Sequence, residues 1–132
     1  MTSGYSGTQL AKKLGIKPGT RVFLHAAPAG FREMLEASAD CVGAREQKLD
    51  LALVFVTRLA DLRRELPKAV RRLAPAGMLW IAWPKKTAGV ATNLSFDKVQ
   101  NFGLAKGLVD TKICAIDEKW SGLKFVRRLK DR

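Results

Sequence analysis

Two segments, Asp50-Leu51-Ala52-Leu53-Val54-Phe55-Val56 and Met78-Leu79-Trp80-Ile81-Ala82-Trp83, are apolar at odd and even positions alike. A strand with one wet face alternates apolar and polar residues, so a strand apolar on both faces needs cover on both. That is the position of a central strand in a parallel sheet lying between two layers of helix. Between these segments Leu59, Leu62, Leu66, Ala69 or Val70, and Leu73 recur at three- and four-residue steps, which predicts a helix with one buried stripe and Thr57 as its cap. The unit strand, helix, strand in one sheet implies a right-handed crossover. Pro67 falls inside the helical stretch, where it either kinks the helix or begins a second one.

The flanking sequence extends this pattern. Thr8 is expected to cap a helix over Gln9–Leu14 that Gly15 ends, followed by a strand from Arg21 to Ala26 and a short helix opened by Pro28 or Gly30 and running through Leu35. Residues 38–48 read two ways, with Cys41 to Arg45 as a short edge strand or the whole stretch as a loop. Ala74-Pro75-Ala76-Gly77 reads as a connection, and Ser95 as the cap of a helix over Phe96–Lys106 closed by Gly107. Strands over Val109–Asp117 and Leu123–Arg128, joined by Glu118–Gly122, form an antiparallel hairpin. The expectation is a single-domain, Rossmann-like, mostly parallel three-layer α/β sheet with a C-terminal antiparallel hairpin, spanning residues 8–132 behind a flexible tail at residues 1–7. A chain of 132 residues can bury one core of this kind without disulfide staples.

Neither apolar run approaches the ~20 residues needed to cross a bilayer, so no membrane partner is expected. The N-terminus lacks the basic-then-apolar pattern of a signal peptide, and Cys41 and Cys114 are too few for a disulfide framework, which makes the cytoplasm the simplest compartment. No metal site is expected, because neither cysteine has a second Cys or His nearby. Trp80 and Trp83 differ in parity and should pack on opposite faces of their strand.

Charge is the strongest compositional signal: 24 Lys and Arg stand against 12 Asp and Glu, a net charge of +12. Such a field attracts polyanions and phosphorylated ligands, although a solvated basic face accounts for it equally well. In open parallel sheets ligands bind outside the carboxyl ends of the strands. The residues expected there are His25, Arg58, Lys85, Lys86, Asp117, Glu118 and Trp120, a rim suited to a small phosphate- or carboxylate-bearing ligand. His25 is the sole histidine and the one unperturbed side chain that titrates near neutrality, but spacing assembles no catalytic triad around it. Asp117 and Glu118, if in a strand, would point to opposite faces. These residues describe a non-catalytic binding module and call for no cofactor. The alternative is a nucleic acid or an acidic protein held by Arg64, Lys68, Arg71 and Arg72, with further charge at Lys124, Arg127, Arg128, Lys130 and Arg132. Asp61 and Glu65 dilute the helical part of that pattern, and no recognised nucleic-acid-binding motif accompanies it.

Four segments, Gly4-Tyr5-Ser6-Gly7-Thr8, Leu10-Ala11-Lys12-Lys13-Leu14-Gly15-Ile16, Trp83-Pro84-Lys85-Lys86 and Asp117-Glu118 with Trp120-Ser121-Gly122-Leu123-Lys124, resemble an uncharacterised bacterial domain-of-unknown-function family across nearly the whole chain. That resemblance implies no activity. Leu73-Ala74-Pro75-Ala76-Gly77 leading into an apolar strand, a helix and a terminal hairpin is similar to the second half of a class I methyltransferase. That second likeness implies a degenerate S-adenosylmethionine-type protein, since the methyltransferase cofactor loop is Gly-rich and this chain carries His25-Ala26-Ala27-Pro28-Ala29-Gly30 in its place.

Overall fold

A computed structural model describes residues 7–132. Six strands make one sheet: Arg21–His25 (β1), Asp40–Cys41 (β2), Leu49–Phe55 (β3), Leu73–Pro84 (β4), Leu108–Ala115 (β5) and Trp120–Arg127 (β6). Their spatial order is β2-β1-β3-β4-β6-β5. The first four run parallel, while β6 is antiparallel to both β4 and β5. The expected mostly parallel sheet with a C-terminal antiparallel pair is therefore the observed one, and the hairpin folds back so that β6 lies between β4 and β5. The ambiguous segment 38–48 resolves into a two-residue edge strand, β2, followed by a loop.

Helices Gly7–Leu14 (α1) and Phe31–Glu36 (α2) cover one face, and Leu59–Arg72 (α3) and Phe96–Ala105 (α4) cover the other. The doubly apolar strands sit where their composition demands. Leu51, Leu53 and Phe55 face the α1/α2 core while Ala52 and Val54 face the α3/α4 core, all of them buried. Trp80 and Trp83 divide the same way. The Trp80 indole, on the α1/α2 side, donates from Nε1 to the Leu14 carbonyl at 3.0 Å, and so joins the end of α1 to the sheet. Two thiols remain free and half-buried, and burial pushes both Cys41 and Cys114 above their ordinary range. Among the described residues no helix is long and apolar enough to cross a membrane.

Four local expectations need correction. The helix over Gln9–Leu14 begins at Gly7, so Thr8 lies inside it rather than at its cap; of the expected tail at residues 1–7, Gly7 belongs to the helix and residues 1–6 lie outside the described residues. Of the two readings of Pro67, a kink or the start of a second helix, the second is overturned: α3 runs through it, with the lost donor being the one that would have met the Arg63 carbonyl. Thr57 does not cap α3. The N-cap is Arg58, and the first amide, of Leu59, donates instead to Asn93 Oδ1 at 2.8 Å, while the Thr92 hydroxyl donates to the Thr57 carbonyl at 2.5 Å. The loop before α4 thus caps α3 from a distance. Finally, Ala74–Gly77 belongs to β4: its pairing jumps from Leu49↔Leu73 to Leu51↔Met78, an irregularity that absorbs the extra residues. Gly77 permits it, since a Cβ there would lie 2.7 Å from the Leu49 carbonyl oxygen.

The far end of α3 is closed by a residue distant in sequence. Arg127 of β6 donates to the carbonyls of Val70, Leu73 and Ala74, at 2.5, 3.4 and 2.8 Å. The Val70 carbonyl also accepts the Leu73 amide, so the guanidinium fork adds a second donor there, bridges the end of the helix to the start of β4, and places positive charge at the negative pole of the helix dipole.

Candidate functional site

At the carboxyl end of β1 the chain leaves the sheet through Ala26, whose φ of 54° is a left-handed conformation that a residue with a Cβ adopts at a cost. Gly30, at φ 83°, then turns the chain into α2. On the antiparallel side, β5 and β6 are joined by a tight bend over residues 116–119. Asp117 holds that bend: its Oδ1 accepts the amides of Lys119 at 2.8 Å and Trp120 at 2.9 Å. The Ile116 amide donates to the Trp120 carbonyl at 2.8 Å and completes the turn.

These two connections face each other across a cavity of about 450 Å³, with Leu10 of α1 and Met34 of α2 closing its sides. Pro28, Ala29, Gly30 and Phe31 line it from one connection and Ile116 to Trp120 from the other. Two aromatic rings, Phe31 and Trp120, line it, and Phe55 packs behind both. Phe31 meets Phe55 edge-on with centroids 5.1 Å apart, and Phe55 meets Trp120 edge-on at 4.9 Å. Both phenylalanines are buried and Trp120 is half-buried, so part of the indole remains open to the cavity. Glu118 is exposed at the mouth and makes no hydrogen bond or ion pair among the described residues.

The expected rim is divided among three hollows. Asp117, Glu118 and Trp120 line the cavity just described. His25 points to the other face of the sheet, into a second hollow of about 430 Å³ that also receives Lys68, Arg71 and Arg72. Arg58 lines a third, of about 240 Å³, with Ala91, Thr92 and Asn93. Lys85 and Lys86 line none of these, although the Lys85 amide donates to the Lys119 carbonyl at 2.8 Å and so braces the first cavity's wall. Asp117 and Glu118 are corrected from opposite faces to one bend and one cavity, because the Asp117 side chain turns the chain out of the strand before it can alternate.

The helical cations do not form one free row either. Arg64 is engaged by Asp61 at 2.9 Å and by Glu65 at 2.8 Å, and Arg72 donates to the Glu46 and Gly43 carbonyls while lying 4.1 Å over the Phe23 ring. Burial would raise the Glu65 carboxyl, but the Arg64 hydrogen bond and the charges of His25, Lys68 and Arg64 outweigh it and hold the group below its ordinary range. Among the described residues no group of three His, Cys, Asp or Glu side chains is placed to hold a metal ion. Sequence reasoning missed Leu10, Phe31, Met34 and Lys119 as cavity residues. The signal for the nearer wall was Pro28-Ala29-Gly30 directly after a strand; nothing local marks Leu10, which reaches the cavity only through the packing of α1.

The strand order, the antiparallel insertion of β6 and the helices on both faces define the fold of S-adenosylmethionine-dependent methyltransferases. Among solved structures, the chain is similar to an S-adenosylmethionine-dependent methyltransferase from Aquifex aeolicus, with a TM-score of 0.67 at 14% identity over 92% of this chain and 89% of that one. The N-methyltransferase NodS from Bradyrhizobium japonicum gives a TM-score of 0.60 at 15% identity, covering 90% and 92% of the two chains. Fibrillarin from Aeropyrum pernix, solved with natively bound S-adenosyl-L-methionine, gives 0.63 at 12% identity, covering 90% and 74%. At these identities the likeness is one of fold. No protein-family model matches the chain and no curated protein matches it, so the motifs that resembled a domain-of-unknown-function family find no support in these comparisons.

Proposed function

We propose that this protein is a methyltransferase-like module that binds a ligand of the S-adenosylmethionine type in the 450 Å³ cavity between the β1–α2 connection and the β5–β6 bend. The observation that carries the reading is the composition of that cavity. In a chain of net charge +12, it is walled by the carboxylates Asp117 and Glu118, with Lys119 as the one cation among the described residues that line it, above an aromatic base. S-adenosylmethionine combines a flat adenine with cationic sulfonium and ammonium groups. An apolar hollow of a few hundred Å³ with an open indole suits the first, and an unpaired carboxylate suits the second.

Within the site, Trp120 and Phe31 provide the surface for the base, and Glu118 is the counter-ion. Asp117 acts through the bend, holding Lys119 and Trp120 in place by their amides. Gly30 leaves space, since a Cβ built there would meet nothing within 4 Å. The departure from a Gly-rich loop matters for the ligand's carboxylate. Pro28 has no amide to offer, and the Phe31 amide is already given to the Pro28 carbonyl at 3.1 Å. These residues therefore fit the adenosyl and cationic parts of the ligand and provide little for its anionic end. The small-anion reading of this edge is the weaker one, because the cations expected on the rim lie elsewhere.

Isothermal titration of the full chain with S-adenosylmethionine and with S-adenosylhomocysteine tests the proposal. Both are expected to bind saturably. Trp120→Ala should weaken both, whereas Glu118→Gln should weaken the sulfonium ligand by about fivefold, and the homocysteine product less, as befits a partly exposed ion pair. A folded protein that binds neither ligand at millimolar concentration refutes it.

A further inference from the structure

Across the sheet from that cavity, the second hollow arises from a gap in the helical layer. α3 lies over β3 and β4, but the same face of β1 is covered by the loop between β2 and β3 instead of a helix. Phe23 and His25, two apart on β1 and so on one face, are left half-exposed at its floor. Glu65, Lys68, Arg71 and Arg72 form its wall from α3.

The charges in this hollow do not cancel. Glu65 is the only acid among the described residues that line it, and that carboxylate is satisfied chiefly by Arg64, which does not line the hollow, at 2.8 Å; Lys68 and His25 approach it more loosely, at 3.9 and 3.8 Å. Arg72 is fixed by two carbonyls and by the Phe23 ring, but its Nη1 makes no hydrogen bond among the described residues. Arg71 makes neither a hydrogen bond nor an ion pair among them. Three cations, two of them guanidinium groups with donors to spare, converge on an open space of about 430 Å³.

We infer that this hollow binds a small phosphate-bearing ligand, its phosphoryl oxygens held by Arg71, Arg72 and Lys68 and approached by the His25 ring. Guanidinium groups recognise phosphoryl oxygens through paired donors, and Lys68 adds a point charge. The space admits a mononucleotide or a free polyphosphate but not a length of duplex. Glu65 sets the selectivity: an anion must approach from the Lys68 and Arg71 side, away from the carboxylate.

His25 makes the test direct, because it is the only histidine and its ring gives a unique NMR signal. The full chain is titrated with sodium pyrophosphate and, separately, with adenosine monophosphate, at constant ionic strength. Saturable movement of the His25 ring signals, weakened about tenfold by Arg71→Ala or Lys68→Ala and unchanged by Arg63→Ala, an exposed cation of the same helix that does not line the hollow, is the expected result. Tighter binding of the monophosphate ester identifies a nucleotide as the source of the phosphoryl group, and equal or tighter binding of pyrophosphate identifies the free anion. No saturation, or equal loss in Arg63→Ala and Arg71→Ala, overturns the inference in favour of a diffuse field. Binding of a short oligouridine that pyrophosphate does not compete away overturns it in favour of a polymer. Titration with S-adenosylmethionine reads the other cavity, on the opposite face, so the two proposals fail independently.

Discussion

Replacing Gly103 by alanine sets two opposed effects against each other, and the structure decides the sign. Gly103 lies inside α4, where alanine is ordinarily better than glycine by about 1 kcal/mol because it restricts the unfolded chain and favours helix. Here, however, a Cβ would lie 2.2, 2.4 and 2.8 Å from Cε1, Cζ and Cδ1 of Phe125. Carbon atoms normally sit about 3.5–4.0 Å apart, so the ring or the helix would have to retreat by more than ~1 Å. The Phe125 ring is fully buried on an inner strand, in an interior as dense as an organic crystal, and has no free volume to move into. Overpacking of this kind costs about 1–3 kcal/mol, and contacts this short belong at or above the top of that range. The net expectation is a loss of about 2 kcal/mol, equivalent to roughly 6–8 °C in Tm for a domain of this size. Urea denaturation followed by helical circular dichroism measures it, with the denaturant slope expected to stay constant. Phe125→Leu introduced together with Gly103→Ala should recover at least ~1 kcal/mol relative to the sum of the single changes, because the two residues touch. Gly43→Ala, where a Cβ meets nothing within 4 Å, serves as the control and should change stability by less than ~0.5 kcal/mol. A Gly103→Ala protein as stable as the parent refutes the packing argument.

Removing the Arg127 fork by Arg127→Met should cost about 2–3 kcal/mol in equilibrium unfolding, since it removes the charged donor shared by three carbonyls at the α3–β4 junction, and Arg127→Lys should restore only part of it. Ala26→Gly should leave stability unchanged or raise it by up to about 1 kcal/mol, because relief of the left-handed strain at φ 54° offsets the added freedom of the unfolded chain; a loss above that size contradicts the strain. The Glu65 carboxyl is held below its usual value of 4.5, so its contribution to stability is complete above that pH and is lost as the pH falls through the lower folded value. Acid titration of unfolding free energy should therefore show a shallower decline in Glu65→Gln than in the parent protein.

Much of the sheet was legible because burial on both faces writes itself into consecutive residues. Asp50–Val56 and Met78–Trp83 needed no knowledge of their neighbours to be read as central strands, and Ser95 marked the start of α4, where its hydroxyl accepts the Lys98 amide. What escaped depends on contacts distant in sequence. Ala74–Gly77 has the composition of a turn and becomes strand because Gly77 fits against the Leu49 carbonyl. Thr57 has the chemistry of a cap, yet Asn93, thirty-four residues beyond the Leu59 amide it accepts, supplies it. The candidate rim divided for a related reason: a position at the end of a strand fixes an edge, but only the loop that follows fixes a face. For His25 a local clue existed, since its parity with Phe23 already placed both on one side of the sheet. No such clue separated Asp117 from the strand before it, because the bend is made by its own side chain.

The placement of β6 has a consequence for how the chain is made. Among the described strands it follows β4 and β5 in sequence yet is an interior one in space, flanked by β4 on one side and β5 on the other. Until it emerges from the ribosome, β4 presents an open hydrogen-bonding edge beside Leu79, Ile81 and Trp83, and β5 has nothing to pair with. A nascent or prematurely ended chain thus exposes a strand apolar on both faces as a template for other chains. Arg127, near the end of β6, closes α3 only after that edge has been filled, so the residues that complete the sheet are the same ones that secure the helix made some sixty residues earlier.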